Sequence, residues 1–171
     1  ETEEWDGTSW TESGDLNTAR GYLHGFGVQT AAVGAGGMIA PGDTATANVE
    51  EYNGTSWSEV TDTPAATYKS AAAGTSDSAG LTIGKHPAAV TCLLYDGTSW
   101  TAAPNLGTAR AGAQGDGTQA SAFAGGGYTG TANTSLAEEF NISILTRTAG
   151  AWTAGGNLGT GRYAMGGAGT Q

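Results

Sequence analysis

Cysteine is nearly missing from this chain: Cys92 is the only one, so no disulfide can close within it. Its surroundings read as strand, and the residue as a small apolar core group. A nucleophilic role would need a histidine partner, and the nearest, His86, sits in a Lys-His-Pro stretch that reads as loop. Positive charge is scarce as well. Lys and Arg total 6 against 16 Asp and Glu, a formal net charge of −10. Phosphate backbones and anionic lipid surfaces both require a cationic footprint, so no nucleic-acid partner is expected, and no charge-driven lipid docking. Charged residues of both signs are only 13% of the 171, about half the usual share. No run of about 18 apolar residues occurs, so no membrane insertion by a helix is expected. No segment sustains a 3.6-residue apolar period, which predicts almost no helix. The chain opens Glu1-Thr2-Glu3-Glu4, without Met or a signal-peptide pattern, and reads as an excerpt.

What the chain has instead is glycine (30), threonine (26) and regularly placed aromatics. One string recurs: Trp5-Asp6-Gly7-Thr8-Ser9-Trp10, Tyr52-Asn53-Gly54-Thr55-Ser56-Trp57 and Tyr95-Asp96-Gly97-Thr98-Ser99-Trp100. A fourth copy is interrupted: Phe140-Asn141, then a stretch from Ile142 to Ala151, then Trp152. The Trp-to-Trp steps are 47, 43 and 52 residues, a period that points to solenoids or propellers. Other residues keep step. Ten positions after the tryptophan come Arg20, Arg110 and Arg162, with Thr67 in the second copy. Nine further on come Gln29, Gln119 and Gln171. Small-residue pairs follow at Gly36-Gly37 and Gly126-Gly127, with only Gly84 kept between them.

Each period reads as four short strands. The first runs from Arg20 to about Gly27, the second from Thr30 to Gly36, and a loop covers Met38 to Ala47. The third runs from Asn48 to Tyr52 and turns at Asn53-Gly54, and the fourth holds Trp57. Asn-Gly or Asp-Gly between strand-like runs is a strong hairpin signal, expected with positive φ at both residues. Four strands in about 45 residues make a propeller blade. Small residues suit crowded inner strands, and the Trp and Tyr rings suit the wider space between outer strands.

A glycine pair ending a strand, a variable loop, an aromatic, a tryptophan shortly after it and an arginine opening the next copy resemble the kelch pattern over nearly the whole chain. The resemblance implies an all-β, kelch-like β-propeller of four-stranded antiparallel blades. Their approximate bounds are 1–12 (partial), 20–60, 67–102, 110–154 and 162–171 (partial). The near-identical Asp/Asn-Gly-Thr-Ser-Trp strings also resemble kelch-type repeats of marine bacteriophage structural and tail proteins. About fifteen strands, or about 3.75 blades, fall short of the four to eight of closed rings. An arc of a larger ring is expected. A four-bladed ring with an open seam and a ring built from several copies are the alternatives.

No catalytic constellation stands out. His24 and His86 lie far apart in sequence with no carboxylate or thiol cluster at ligand spacing, so no metal residues are expected. The glycine pairs lack the helix and lysine of a phosphate loop, so no nucleotide cofactor is expected either. Asp6, Asn53 and Asp96 read as turn residues rather than calcium ligands. In Glu3-Glu4, Glu50-Glu51 and Glu138-Glu139, strand alternation turns one of each pair outward onto a solvated face. The arginines are expected to hydrogen-bond between adjacent blades, or else to ring a channel mouth and hold an anion. Trp10, Trp57, Trp100, Trp152, Arg20, Arg110 and Arg162 are thus structural repeat positions. Three Asn-Xaa-Thr/Ser strings begin at Asn53, Asn133 and Asn141, a match frequent by chance in a Thr- and Ser-rich chain.

Function on a propeller lies in its loops. The loops Met38–Ala47, Lys85–Ala89 and Tyr128–Ser135 vary most and share a face. Asp43, Thr44, Lys85, His86, Tyr128, Thr129 and Asn133 are its candidate binding residues, with Tyr128 a stacking ring for sugars. The expectation is a noncatalytic module on a virion exterior or in an extracellular setting, such as a phage tail or appendage protein. Its partners would be further copies or neighbouring virion proteins, and a host-surface glycan or protein receptor. The alternative is a secreted enzyme like the galactose-oxidase-type propellers. Such copper chemistry needs His, Tyr and Cys ligands converging near the axis, and the chain has two His and one Cys. An intracellular interaction scaffold is a third class, without a partner domain here to support it.

Overall fold

The computed structural model describes residues 1–41, 43–142, 151–157 and 160, with backbone only at 151–153. Among these the chain is all β, with no helix. β1 (Thr2–Trp5) and β2 (Trp10–Ser13) form a two-stranded sheet. β3 (His24–Val28), β4 (Ala31–Ala35), β7 (Val49–Tyr52) and β8 (Trp57–Glu59) form the first four-stranded sheet. A small hairpin, β5 (Met38–Ile39) with β6 (Thr44–Ala45), interrupts it inside the region expected to be loop. The second sheet holds β9 (Ala71–Ser76), β10 (Ala79–Ile83), β11 (Cys92–Tyr95) and β12 (Trp100–Ala103). The third holds β13 (Gln114–Gly117), β14 (Ser121–Gly125), β15 (Ala137–Asn141) and β16 (Ala151–Ala154). All pairings are antiparallel and sequential in each sheet. The first strands, β3, β9 and β13, lie side by side. The described residues do not close a ring. Arg162, Gln171 and the partial blade 162–171 lie outside them, as does most of the stretch from Ile142 to Ala151.

The repeated turn differs from the expected two-residue form. In each copy four residues separate the strands, and only the glycine has positive φ: 98°, 89° and 91° at Gly7, Gly54 and Gly97. The preceding Asp or Asn acts through its side chain instead. Asp96 Oδ1 accepts from the Thr98 and Ser99 amides at 2.9 and 2.7 Å, and Asp6 and Asn53 do the same. These bonds hold the Asp96 carboxyl down at about 2, the Ser99 amide contributing most. The carboxylate is therefore taken up by its own turn.

The core is two layers between sheets. Phe26, Val33, Ala35, Val49 and Tyr95 fill the space between the first and second sheets. Ala73, Leu81, Ile83, Cys92, Ala122 and Phe140 fill that between the second and third. Each Tyr–Trp hairpin pair faces the sheet before it in sequence. Tyr95 and Trp100 meet Phe26, and Trp57 Nε1 donates to Thr2 Oγ1 at 2.9 Å. Tyr52, Tyr95 and Phe140 are accordingly buried, and Trp57 and Trp100 half-buried. Trp10 departs from the expectation of a buried ring and is 65% exposed, because no described sheet precedes β1 and β2. Trp152 lies on β16 opposite Phe140, and its side chain is outside the described residues.

The glutamate pairs have two distinct employments. In Glu50-Glu51 and Glu138-Glu139 the first glutamate faces inward and binds arginine, whereas Glu3 is exposed. Glu50 Oε1 accepts from Arg20 at 3.1 Å, and Glu138 from Arg110, with both guanidinium side chains fully buried. The arginine works within its own sheet rather than between sheets. Arg20 Nη1 donates to the Gly36 and Asn48 carbonyls at 3.1 and 2.5 Å, and Arg110 Nη1 to those of Gly126 and Leu136 at 3.2 and 2.9 Å. Apart from Arg20 Nε, which is buried without a partner, these bonds take up the guanidinium nitrogens, and with both side chains fully buried neither arginine offers an open anion site. Glu51 and Glu4, the second of their pairs, reach the next sheet. Glu51 accepts from Tyr95 Oη at 2.7 Å, and Glu4 from Tyr52 Oη.

In the second sheet both glutamates are gone, and so are both donors. Leu93 and Leu94 stand in register where Glu50 and Glu51 stand. Thr67 replaces the arginine, and the next sheet offers Phe140, without a hydroxyl, to the cluster that Leu94 packs against. A buried charge without its partner costs far more than an apolar replacement of both. Arg110→Met should therefore cost about 3–5 kcal/mol, and the double change Arg110→Met/Glu138→Leu should recover most of it. Urea unfolding of the three proteins measures both values; equal losses in single and double variants would contradict the pairing.

Candidate functional site

The face formed by the β2–β3, β4–β7, β8–β9, β10–β11, β12–β13 and β14–β15 connections is held by one backbone pattern, repeated. Within a repeat, Met38 N donates to Gly21 O at 2.8 Å, His86 N to Tyr68 O at 2.9 Å and Tyr128 N to Ala111 O at 2.8 Å. Between repeats, Gly37 N donates to Thr67 O at 2.8 Å and Lys85 N to Arg110 O at 3.2 Å. Lys69 N donates to Tyr22 O at 3.1 Å, and Gly112 N to Lys69 O at 2.7 Å. Tyr22, Lys69 and Gly112 each take the left-handed conformation, at φ 55°, 52° and 60°. This is why the first strand starts at His24 and not at Arg20: residues 20–23 are spent on cross-links. A Cβ at Gly36 would stand 2.3 Å from Thr67 O, so the close approach of the next repeat requires glycine there.

On this fixed frame the side chains differ from copy to copy. One position carries Met38, His86 and Tyr128; a second, Gly21, Tyr68 and Ala111; a third, Tyr22, Lys69 and Gly112. Tyr22 is exposed, with Lys69 Nζ 4.7 Å from its ring centroid. The Tyr68 and His86 rings lie 4.8 Å apart, and Tyr68 Oη is hydrogen-bonded to His86 Nδ1. Of the residues expected on this face, Lys85 and His86 stand beside Thr67 and Tyr68. Tyr128 folds into its own loop, its hydroxyl donating to Gly130 O at 2.8 Å. Thr129 Oγ1 donates to Ala132 O at 3.1 Å, and Asn133 pairs with Tyr128 in an isolated bridge. Asp43 (φ 48°) and Thr44 sit at the exposed β5–β6 hairpin. The expected residues thus fall in three separate loops. The expected set leaves out Tyr22, Tyr68 and Lys69. Their signal is in the sequence: they lie one or two places after the arginine position, where the copies disagree.

Besides a cavity of about 410 Å³ lined by Gly107, Thr108, Leu136 and Glu138 among others, two smaller cavities open near this frame. One, of about 270 Å³, lies where β3, β9 and β13 begin, lined by His24, Ser70, Ala72, Gln114 and Gly115 among others. The His24 imidazole is buried, and neither ring nitrogen has a hydrogen-bond partner. Burial, then the neighbouring Arg20 charge, push it down to about 4. The second cavity, of about 130 Å³, is bounded by Pro64, Ala65, Thr67, Lys85 and Leu93 among others.

No family model matches this chain, and no curated protein matches it in sequence.

His24 gives the fold an acid limit. Its folded value of about 4 lies below the unfolded 6.5, so the unfolded chain takes up the proton first. The stability from keeping it neutral is complete above pH 6.5 and is lost as pH falls from there towards 4. At about 1.4 kcal/mol per pH unit the loss approaches about 3 kcal/mol. His24→Ala should flatten the fall in melting temperature over that window; an unchanged profile would show that another group titrates there.

Proposed function

We propose that this chain is an arc of a kelch-like β-propeller that serves as a noncatalytic recognition module on the exterior of a virion or cell, as in a phage tail or appendage. The sequential four-stranded sheets, their adjacent first strands and the repeated glycine and arginine positions support the propeller reading. One observation carries the functional reading. On one face, equivalent positions share a backbone pattern but hold unlike side chains, while the turns of the opposite face repeat almost unchanged. A surface that only had to be soluble or packed would not divide in this way. Stable cross-links let the exposed residues change without loss of fold, which is what a surface for adaptable recognition needs. Exposed and half-buried tyrosines beside hydroxyl, amide and imidazole groups suit a host-surface glycan or a polar protein patch.

The test is binding of the purified chain to host cells and to an immobilised glycan panel. Tyr68→Ala or His86→Ala should weaken binding roughly tenfold, about 1.4 kcal/mol. Reshaping the Tyr128–Ser135 loop should alter binding with little change in stability. Thr8→Ala and Thr98→Ala, on the opposite turns, should leave binding unchanged. Equal losses from both faces would contradict the reading, as would no binding at all.

A further inference from the structure

The cavity beside Lys85 is the arginine site of the second sheet with its arginine removed. In the flanking sheets the glycine amide donates to a carbonyl across the loop: Gly36 N to Asn48 O at 2.9 Å and Gly126 N to Leu136 O at 3.0 Å. Those two carbonyls, with those of Gly36 and Gly126, receive the guanidinium. The second sheet keeps the frame, with Gly84 N donating to Thr91 O at 2.9 Å. Gly84 and Thr91 both line the cavity, together with Thr67 and Leu93 in place of arginine and glutamate. The acceptors are retained while the group that used them is absent.

The chemistry of the lining limits what can enter. A guanidinium or ammonium group would find no carboxylate, since Leu93 stands where Glu50 and Glu138 stand, and Lys85 lies at the rim. A purely apolar group would leave unused the acceptor positions that take the guanidinium in the flanking sheets, since Gly84 N occupies only one lone pair of Thr91 O. The cavity asks for a small neutral group with one N–H and an apolar end, and for a carbonyl that Lys85 can satisfy. A secondary acetamide has these parts. At about 130 Å³ the space is close to the ~150 Å³ cavity that holds benzene, enough for such a group and too small for a sugar ring. The ring would remain outside; the residues that follow Thr67 and Lys85 in sequence are Tyr68 and His86, whose rings lie 4.8 Å apart, tilted by 42°.

We propose that this cavity receives the acetamido group of an N-acetylated sugar, with the pyranose ring resting against the Tyr68–His86 pair. The proposal rests on the reading of this face as a recognition surface. The test follows backbone amide NMR signals of the chain during titration with N-acetyl-D-glucosamine, D-glucose and argininamide. N-acetyl-D-glucosamine should shift Gly84, Lys85 and Leu93 saturably, and D-glucose should not at the same concentration. The double change Thr67→Arg/Leu93→Glu, which restores the ion pair of the flanking sheets, should abolish those shifts. Leu93→Phe, which narrows the cavity without charge, should do the same if the double variant fails to fold. Equal response to D-glucose, stronger response to argininamide, or persistence in the folded filled variant would overturn the proposal. Sugars that shift Tyr68 and His86 but not Gly84 would overturn it while leaving the recognition surface standing. Silence of all these signals with cell binding retained would do likewise.

Discussion

A buried carboxylate has to be matched, and here the match organises two of the three four-stranded sheets. Glu50 and Glu138 sit almost without solvent on the third strand of their sheets. Each is held by an arginine that enters from the connection before the first strand. The same guanidinium ties down the carbonyls at the end of the second strand and the start of the third. One side chain therefore fixes two connections that would otherwise be independent loops. Where it is lost, at Thr67, its glutamate is lost too, and the second glutamate disappears together with the tyrosine hydroxyl it would have accepted. The chain contains its own comparison, two charged sheets and one apolar sheet on a single frame.

That frame separates stability from display. Amide-to-carbonyl bonds from Gly37, Lys69, Lys85 and Gly112 join neighbouring sheets without using the side chains of those residues. Tyr22 and Lys69 take a backbone conformation that ordinary residues adopt at modest cost, and the cross-links hold them there. Side chains on the face can then differ between copies, as Met38, His86 and Tyr128 do. The opposite face is built differently: its turns depend on side chains, such as the Asp96 carboxylate, and repeat accordingly. A fold of this kind can change what it binds without changing how it holds together.

Much of the architecture was legible because period and turn chemistry are local. The Asx-Gly-Thr-Ser-Trp string announced each hairpin, and the forty-odd-residue step announced four strands per sheet. What escaped was long-range. The contact of Arg20 with Glu50 spans thirty residues, and alternation alone placed one glutamate on a solvated face without saying what the other met. The β5–β6 hairpin has strands of two residues, too short for any pattern to show. The exposure of Trp10 depends on which sheet lies beside it, a matter of tertiary context. On the candidate face, loop variability pointed to Lys85, His86 and Tyr128. It missed Tyr22, Tyr68 and Lys69, which lie in a segment that reads as the start of a strand.

Loop amides, and not side-chain packing alone, hold the sheets to one another. Native-state hydrogen exchange tests it most directly, since protection reports the free energy of opening each bond. The amides of Gly37, Lys69, Lys85 and Gly112 should exchange as slowly as those of β4, β10 and β14, although none of the four lies in a strand. Exchange as fast as that of Asp43 at the hairpin tip would mean that the sheets are joined by side-chain packing alone, and would contradict the account.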